Sequence, residues 1–388
     1  MLPRLPWVTS SSGVLAGGTA GHPIPDAKAV QHPSPTVSHM SPPWLSILVP
    51  VYGVAAYLEA CISSIIGQDG AGVEIVFVDD ASCDGEQAIL AAWQERDPDR
   101  VRVISHTINR GIAATRNTLL EHARGEYLWF VDSDDLMAPG SINALCDLLT
   151  KHRPDMVLCD FRIVREFDAC DAESPTEGAG KRNRKRARDA HVRSFDGPSN
   201  VLSDSRDQLV AGLFSRGHMH PWSKIVKRAA WPAELRFAEN RVFEDLALFS
   251  RLALSMRSFI YVPQVWITYR QRSGSILNSP SSSKLDDWLF ALAGYGPLLR
   301  NSDVGISPRT RFSVAHFCTR EWRNCVRAFQ KLPSSADARL TRLTLRTFRD
   351  YWMASSPLSV SELTWEYLKR GQFQRCLQML ALLRTARR

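Results

Sequence analysis

Apolar residues along this chain change their period several times, and the changes mark its elements. Residues 1–43 are rich in Pro, Ser, Gly and Thr and carry no apolar period, so they are expected to be disordered. Met40, just before the first strand, is a candidate for the true start of the chain. From Leu45 the pattern tightens, and Ile47-Leu48-Val49-Pro50-Val51 predicts a short strand. Tyr57–Ile66 sets Leu58, Ile62, Ile65 and Ile66 on one side, which predicts a helix. Glu74–Val78 predicts a strand ending at Asp79-Asp80. Gln87–Arg96 predicts a helix, Val101–Ile104 a strand and Ile112–Ala123 a helix. The apolar run Tyr127-Leu128-Trp129-Phe130-Val131 is a buried strand. Strands alternating with helices of about ten residues predict an α/β protein with a parallel sheet covered on both faces. Met156–Phe167 predicts a further strand.

Beyond Ile276 the pattern becomes helical and basic, with helices expected at Leu285–Leu299, Pro308–Gln330, Ala338–Ser355, Val360–Arg370 and Phe373–Arg387. In the last, Phe373, Cys376, Leu377, Leu380 and Leu383 form a stripe that either packs on the core or lies in a membrane surface. Residues 168–197 form a low-complexity insertion. Its basic centre, Lys181 to Arg188, reads as a solvated loop or as a contact for anionic lipid or a polyanion.

The 388 residues suffice for one large domain or two modest ones. No apolar run approaches the roughly 20 residues that span a bilayer, and no secretory leader is apparent. Eight cysteines without a Cys-x-x-Cys pair argue against a zinc site or a disulfide framework and suit a reducing cytoplasm. A net charge of +8 suits an anionic small substrate, an anionic membrane face or nucleic acid. No nucleic-acid motif accompanies it, so no nucleic-acid partner is expected.

Candidate chemistry concentrates where strands stop. Asp132, Ser133, Asp134 and Asp135 follow the Tyr127–Val131 strand, and open α/β sheets bind ligands beyond the carboxyl ends of their strands. Three crowded acids repel one another unless a hard cation such as Mg²⁺ or Mn²⁺ joins them. They could equally cap a following helix. Asn109-Arg110-Gly111 is a tight turn before a helix whose N–H groups could meet a phosphate. Glu244-Asp245 opens another helix. His218 and His220, two apart without a third ligand nearby, make a poor metal site.

Four segments in this order resemble one family. They are Ser46–Tyr52, Val78–Gly85, Asn109–Asn117 and Gly125–Asp135. They resemble inverting, nucleotide-sugar-dependent glycosyltransferases of the GT-A fold, the bacterial family 2 type that builds surface polysaccharides. The resemblance covers about residues 45–276 and implies a Rossmann-like mixed sheet flanked by helices, here 44–278, with a basic helical C-terminal region, 279–388. It implies a nucleotide-sugar site of Pro50, Val51, Tyr52, Asp79, Asn109, Gly111, Arg116, Asp132 and Ser133, with Val51, Tyr52 and Asp79 at the nucleobase. Asp134 with Asp132 would hold Mn²⁺ or Mg²⁺. Asp245, beside Glu244, would be the general base. Trp222 and Lys224 would line the acceptor cleft, and Arg270 and Arg272 would neutralise the diphosphate.

Arg272 stands near the place where many relatives carry a metal-binding His. Gly53 and Cys83 depart from the commoner Asn and Thr. The implied donor is a UDP-sugar. The implied acceptor is a growing, lipid-linked surface glycan, and the implied location is cytoplasmic, peripheral at the inner face of the plasma membrane. A nucleotidyltransferase and a non-catalytic glycan- or nucleotide-binding module are the alternatives. The former usually shows a Gly-rich loop with a basic residue after the first strand, which Pro50-Val51-Tyr52-Gly53 does not supply.

Overall fold

A computed structural model describes residues 42–68, 70–165, 190–271, 281–301, 305–332 and 338–385. Residues 1–41 of the expected tail, 168–189 of the expected insertion and Arg272 lie outside them.

The first half alternates as its pattern requires: β1 (Leu45–Val51), α1 (Ala55–Ile66), β2 (Val73–Asp79), α2 (Glu86–Arg96), β3 (Val101–Ser105), α3 (Ile112–His122) and β4 (Tyr127–Phe130). Strands β3, β2, β1 and β4 lie side by side and parallel. Both faces of β1 are buried, and its residues divide with period two. Leu45, Ile47, Val49 and Val51 join the core under α1 and α2, and Leu48 joins the opposite core against α3. Each fully buried side chain of this size contributes roughly 1.5–3 kcal/mol.

Beyond β4 the sheet stops being parallel. Next come β5 (Leu136–Met137), α4 (Ser141–His152), β6 (Met156–Arg165), β7 (Ala190–Val192), α5 (Arg206–Arg216), β8 (Lys224–Lys227), α6 (Glu244–Ser255) and β9 (Phe259–Gln271). The order continues β4-β8-β6-β9-β5, with β7 beside β6. β8 is antiparallel to both β4 and β6, whereas β6 and β9 are parallel. The sheet is therefore mixed, not parallel throughout. The β6–β9 register slips where Cys159 faces Val262 and Asp160 faces Val265, which places Pro263 in the irregularity. A proline has no N–H for the ladder, so a bulge is where it can sit.

Three expectations need correction. Leu136-Met137 does not lead straight into a helix. It pairs with β9, and α4 starts only after Gly140, whose φ of 77° is left-handed. The expected insertion is not low-complexity to its end. β7 pairs with β6, and Ser194 and Phe195 are buried, with the Ser194 N–H donating to Asp160 Oδ1 at 2.9 Å. The helix expected at Leu285–Leu299 is two helices, α7 (Ser282–Ala291) and α8 (Tyr295–Arg300), parted at Gly294 with φ 82°.

The chain ends in α9 (Pro308–Phe329), α10 (Ala338–Ser355), α11 (Val360–Lys369) and α12 (Phe373–Thr385). These helices share a core with the sheet domain. Phe214 of α5 stacks on Tyr295 at 5.3 Å and meets Phe317 edge-on at 5.2 Å, and Trp322 stacks on Trp352 at 4.5 Å. Residues 42–388 cluster as one compact unit, so the core continues across the expected 278/279 boundary. The stripe on α12 divides: Cys376 and Leu383 are buried, while Phe373 and Leu377 are exposed. Among the described residues no helix is long and apolar enough to cross a membrane.

Candidate active site

A cavity of about 730 Å³ opens where β1, β2 and β4 end, within the size range of small-molecule sites. Pro50, Val51, Tyr52, Asn109, Gly111, Arg116, Asp132, Ser133 and Asp134 line it from the first half of the chain. Trp222, Glu244 and Asp245 line it from the second. The fold thus brings together residues more than a hundred positions apart.

Of the Asp79-Asp80 pair, it is Asp80 that lines the cavity. Asp79 is buried, accepting from the Ser82 N–H at 3.1 Å and from Gln87 Nε2 at 3.2 Å. The expectation that Asp79 meets a base is corrected: the β2 strand ends one residue later than an Asp79 contact would need. Asp80 also shapes the next turn. Its Oδ1 accepts from the Arg110 N–H at 2.9 Å and meets His106 Nδ1 at 2.6 Å, while its Oδ2 accepts from the Gly111 N–H at 2.7 Å. Gly111 has φ 84° and nothing near the position of a Cβ, so its backbone conformation, rather than crowding, calls for glycine. Its own N–H is committed to Asp80. The start of α3, which has no side-chain cap, presents Ile112 and Ala113 to the cavity.

Arg116 ties the two halves. Its guanidinium donates to Asp132 Oδ1 at 2.8 Å and to Glu244 Oε1, and it lies 5.6 Å from the Phe237 ring. Burial opposes its charge, but Asp132 and Glu244 outweigh burial and raise its pKa. Glu244 is 7% exposed. Burial dominates Arg116 there and pushes the Glu244 carboxyl up to about 7. Asp245 is the more open acid, with a side chain 21% exposed and its Oδ2 3.6 Å from His220 Nδ1. Burial works against its ionisation, yet His220, Arg116 and the Leu246 N–H outweigh it and hold the carboxyl below its usual range. Asp245 is therefore an ionised carboxylate facing a cavity, and Glu244 a guarded one facing Arg116.

The loop before this pair is strained. Asn240 and Phe243 both have left-handed φ, 61° and 63°, which costs non-glycine residues on the order of 1–3 kcal/mol each. α7 holds it in place. Asp287 accepts from Arg241 at 2.6 Å and from the Val242 N–H at 3.2 Å, and Trp288 packs on Phe243 at 4.9 Å. Nothing in the local sequence of 240–243 announces this clamp, and strand-end motifs do not reveal Asp287 because its partners, Arg241 and Val242, are distant in sequence.

Two expected contacts are corrected, those of Lys224 with the acceptor cleft and of Arg270 with the diphosphate. Lys224 is 1% exposed and does not reach the cleft. Its Nζ donates to His218 O, His220 O and Ser223 Oγ at 2.9–3.0 Å, and burial pulls its pKa down to about 7. Three acceptors match the three donors of an ammonium, so Lys224 fixes the 218–223 turn. Trp222 lines the cavity but is 1% exposed, because His220 stacks on it at 4.8 Å and Tyr269 at 5.9 Å. Arg270 belongs to β9 itself and is buried. It donates from Nε to Asp134 O at 2.5 Å, from the other arm to Tyr57 O at 3.1 Å, and from its backbone N–H to Asp135 Oδ1 at 2.9 Å. It braces the acidic turn from behind instead of facing a diphosphate.

The same turn decides how a metal could be held. Asp135 does not cap α4, whose N-cap is Gly140. It is fully buried, its Oδ2 has no hydrogen-bond partner, and burial with Asp132 and Asp134 raises its pKa well above the usual range. A divalent cation beside Asp132 and Asp134 would relieve that repulsion. Among the described residues no three His, Cys, Asp or Glu side chains converge on one point. The donors present fit a cation held by one or two carboxylates and the phosphates of a substrate, the usual arrangement for Mg²⁺. The rings of His218 and His220 stack on one another, 6.1 Å apart, rather than converging as ligands.

A mixed sheet flanked by helices, with an acidic turn after its fourth strand and a second acidic pair opposite, is the architecture of a GT-A glycosyltransferase. Residues 46–199 match the sequence model described as glycosyl transferase family 2, so this part of the chain carries a family 2 glycosyltransferase domain. It is 27% identical over 235 residues to the glycosyltransferase GlyG of Streptococcus pneumoniae, covering 61% of this chain and 73% of GlyG. It is 37% identical over 119 residues to EpsJ, an uncharacterized glycosyltransferase of Bacillus subtilis, covering 31% of this chain and only 34% of EpsJ. Against S. aureus TarS 1–349 in complex with UDP-GlcNAc, the TM-score is 0.63 at 18% identity, covering 88% of this chain and 91% of TarS. At that identity the likeness concerns the fold. The family 2 match over residues 46–199 favours a glycosyltransferase over the nucleotidyltransferase alternative.

Proposed function

We propose that this glycosyltransferase inverts the anomeric centre, moving one sugar from a UDP-sugar to a hydroxyl of a growing, lipid-linked surface glycan. The observation that carries the reading is the Arg116 bridge. It joins an acid at the end of the first-half sheet, Asp132, to the acid beside Asp245, and so sets the two sides of one cavity in fixed relation.

Val51, Tyr52 and Asp80 take the nucleobase end, where a carboxylate can accept a ring N–H and the exposed Tyr52 can lie against the base. Asp132 and Ser133 lie at the ribose and sugar phosphate, and the start of α3 faces the diphosphate. Asp134, with Asp132, would hold Mn²⁺ or Mg²⁺, which when bound neutralises the diphosphate and improves it as a leaving group. Asp245 accepts the proton of the acceptor hydroxyl. The hydroxyl oxygen forms its bond to the anomeric carbon as the bond from that carbon to the diphosphate oxygen breaks, and UDP leaves with the electron pair. Glu244 positions Arg116 and does not itself take the proton. Trp222 and His220 form the acceptor wall.

Exposed Trp365, Leu368, Phe373 and Leu377 on α11 and α12, beside Lys369, Arg370 and Arg375, support peripheral contact with an anionic membrane at the cytoplasmic face.

The test is a donor screen with Mn²⁺ and Mg²⁺, followed by NMR of the product's anomeric configuration. A UDP-sugar should be consumed with inversion, and Asp134→Ala should abolish transfer and weaken calorimetric UDP–Mn²⁺ binding. A retained configuration would overturn the inverting mechanism. Unchanged UDP–Mn²⁺ affinity in folded Asp134→Ala would overturn the metal assignment.

A further inference from the structure

His220 stands beside Asp245, and its surroundings fix it there. Its Nδ1 lies 3.6 Å from Asp245 Oδ2, and both residues line the cavity. The ring is part of a column. It stacks on Trp222 at 4.8 Å with the planes 8° apart, and it lies 6.1 Å from the His218 ring and 6.3 Å from the Tyr269 ring, tilted by 26° to each. Phe161 meets it edge-on at 6.1 Å and meets Trp222 edge-on at 4.5 Å. A ring packed in this way has little freedom to leave its plane. The backbone beneath it is held as firmly. The His220 carbonyl accepts from Lys224 Nζ at 2.9 Å and from Ser223 Oγ at 3.1 Å, and the Trp222 carbonyl accepts from Trp129 Nε1 of β4 at 2.9 Å. Lys224 carries the desolvation cost of a buried ammonium, and the turn it fixes brings His220, Pro221 and Trp222 to the cavity.

Asp245 is placed to meet this ring. Its Oδ1 accepts from the Leu246 N–H at 2.7 Å, which leaves Oδ2 on the side of His220. An ionised carboxylate only accepts, so the nitrogen that faces it carries the hydrogen. Burial opposes the charge on Asp245, and His220 is the first of the groups that outweigh it. At 3.6 Å the contact is longer than a hydrogen bond. Catalytic contacts of this length commonly tighten once substrate is bound.

We propose that His220 is the positioning residue of the base: its Nδ1–H holds Asp245 Oδ2 and so sets the carboxylate at the angle from which it takes the acceptor's proton. The inference rests on the reading of Asp245 as the base. Each carboxylate oxygen keeps a second lone pair for the incoming hydroxyl. The proton passes from that hydroxyl to Asp245, and the imidazole keeps its own hydrogen throughout. Lys224, read from its partners as a fastener of the turn, thereby serves the base at one remove.

Two measurements on the full chain test it. In nitrogen-resolved NMR of the free protein labelled at histidine, at about pH 8, His220 should show the Nδ1–H tautomer and should lose it in Asp245→Ala. The signals that His220→Asn removes identify it. Isolated neutral imidazole favours the hydrogen on Nε2, so packing alone would not produce the expected tautomer. The second measurement is UDP release from the UDP-sugar that the donor screen selects, with Mn²⁺ and with water as the acceptor. His220→Ala should lower kcat about ten-fold with KM for the donor unchanged. His220→Asn, whose amide N–H can stand where Nδ1–H stood, should return to within about three-fold of the wild type. In an Asp245→Asn background, His220→Ala should cost nothing further. An Nε2–H tautomer in the wild type, equal losses in the Ala and Asn variants, or losses that simply add to that of Asp245→Asn would overturn the proposal. Asp245→Asn with its turnover intact would sink the base reading instead, whereas the tautomer reads the His220–Asp245 contact without any turnover.

Discussion

The two sides of the cleft are built differently. Residues 45–137 form theirs from strand ends: β1 delivers Val51, β2 delivers Asp80 and β4 delivers Asp132, on one edge of parallel pairing. Residues 218–245 form theirs from a turn and a loop outside the sheet. Lys224 holds the turn from beneath, and α7 holds the strained loop through Asp287. A side made of strand ends inherits its geometry from backbone ladders. A side made of loops needs long-range side-chain contacts, so it is more easily broken by single substitutions away from the chemistry.

The largest effect should fall on the loop side. Asp245→Asn keeps the shape and removes the basicity, so turnover should fall at least about 10²-fold with UDP affinity retained. Glu244→Gln should cost less. Steady-state kinetics and calorimetry on both variants decide it, and the reverse ranking would exchange the two roles.

Next is the bridge between the sides. Arg116→Lys replaces a fork that meets two carboxylates with a point charge that can meet only one well. Losing one charge-assisted hydrogen bond, about 1.5–3 kcal/mol, should cut turnover roughly 10- to 100-fold. Unchanged turnover would mean that the sides are set without it.

The clamp from α7 should matter less. Asp287→Ala removes the acceptor for the Val242 N–H, worth about 1 kcal/mol, and should lower turnover roughly five-fold. Hydrogen exchange at Val242 should quicken in the same variant, a change that a purely electrostatic role for Asp287 would not produce.

The smallest effect is in pH. Burial raises Glu244 from its ordinary 4.5 to about 7, so between those values the folded chain holds a proton that the unfolded chain has released. Stability from this group is full below the lower value and is lost as pH rises through the upper one. Relative to Glu244→Gln, the wild type should lose about 1 kcal/mol or more between about pH 5 and about pH 8 in denaturant unfolding. A difference that stays flat would place the carboxyl near its ordinary value.

Much of the donor side was readable without coordinates, because period-two burial and strand-end polarity are local signals. β1, β2 and β4, the Asn109-Arg110-Gly111 turn and the Asp132–Asp135 acids follow from residues within a few positions of one another. The misreadings arose where adjacent residues differ only in the direction they face. Asp79 and Asp80 carry the same chemistry, and only the end of β2 puts Asp80 in the cavity. The resemblance places Lys224 and Arg270 against a ligand, yet Lys224 is turned inward to the carbonyls of its own turn and Arg270 to those of Asp134 and Tyr57.

The sequence by itself determined the class of chemistry, since an acidic turn after an apolar run and an acidic pair at a helix start are local patterns that chain connectivity cannot move. Tertiary structure alone decided which acids are open and which are held. Asp245 and Glu244 are neighbours in sequence with nearly the same side chain, but Arg116, His220 and burial make one an ionised carboxylate on a cavity and the other a guarded partner. It also decided that a C-terminal helix completes the site, because Asp287 lines the cavity and Trp288 backs Phe243 only by packing against elements tens of residues away. Such contacts depend on how elements pack in space, and nothing in the spacing of residues along the chain encodes that distance.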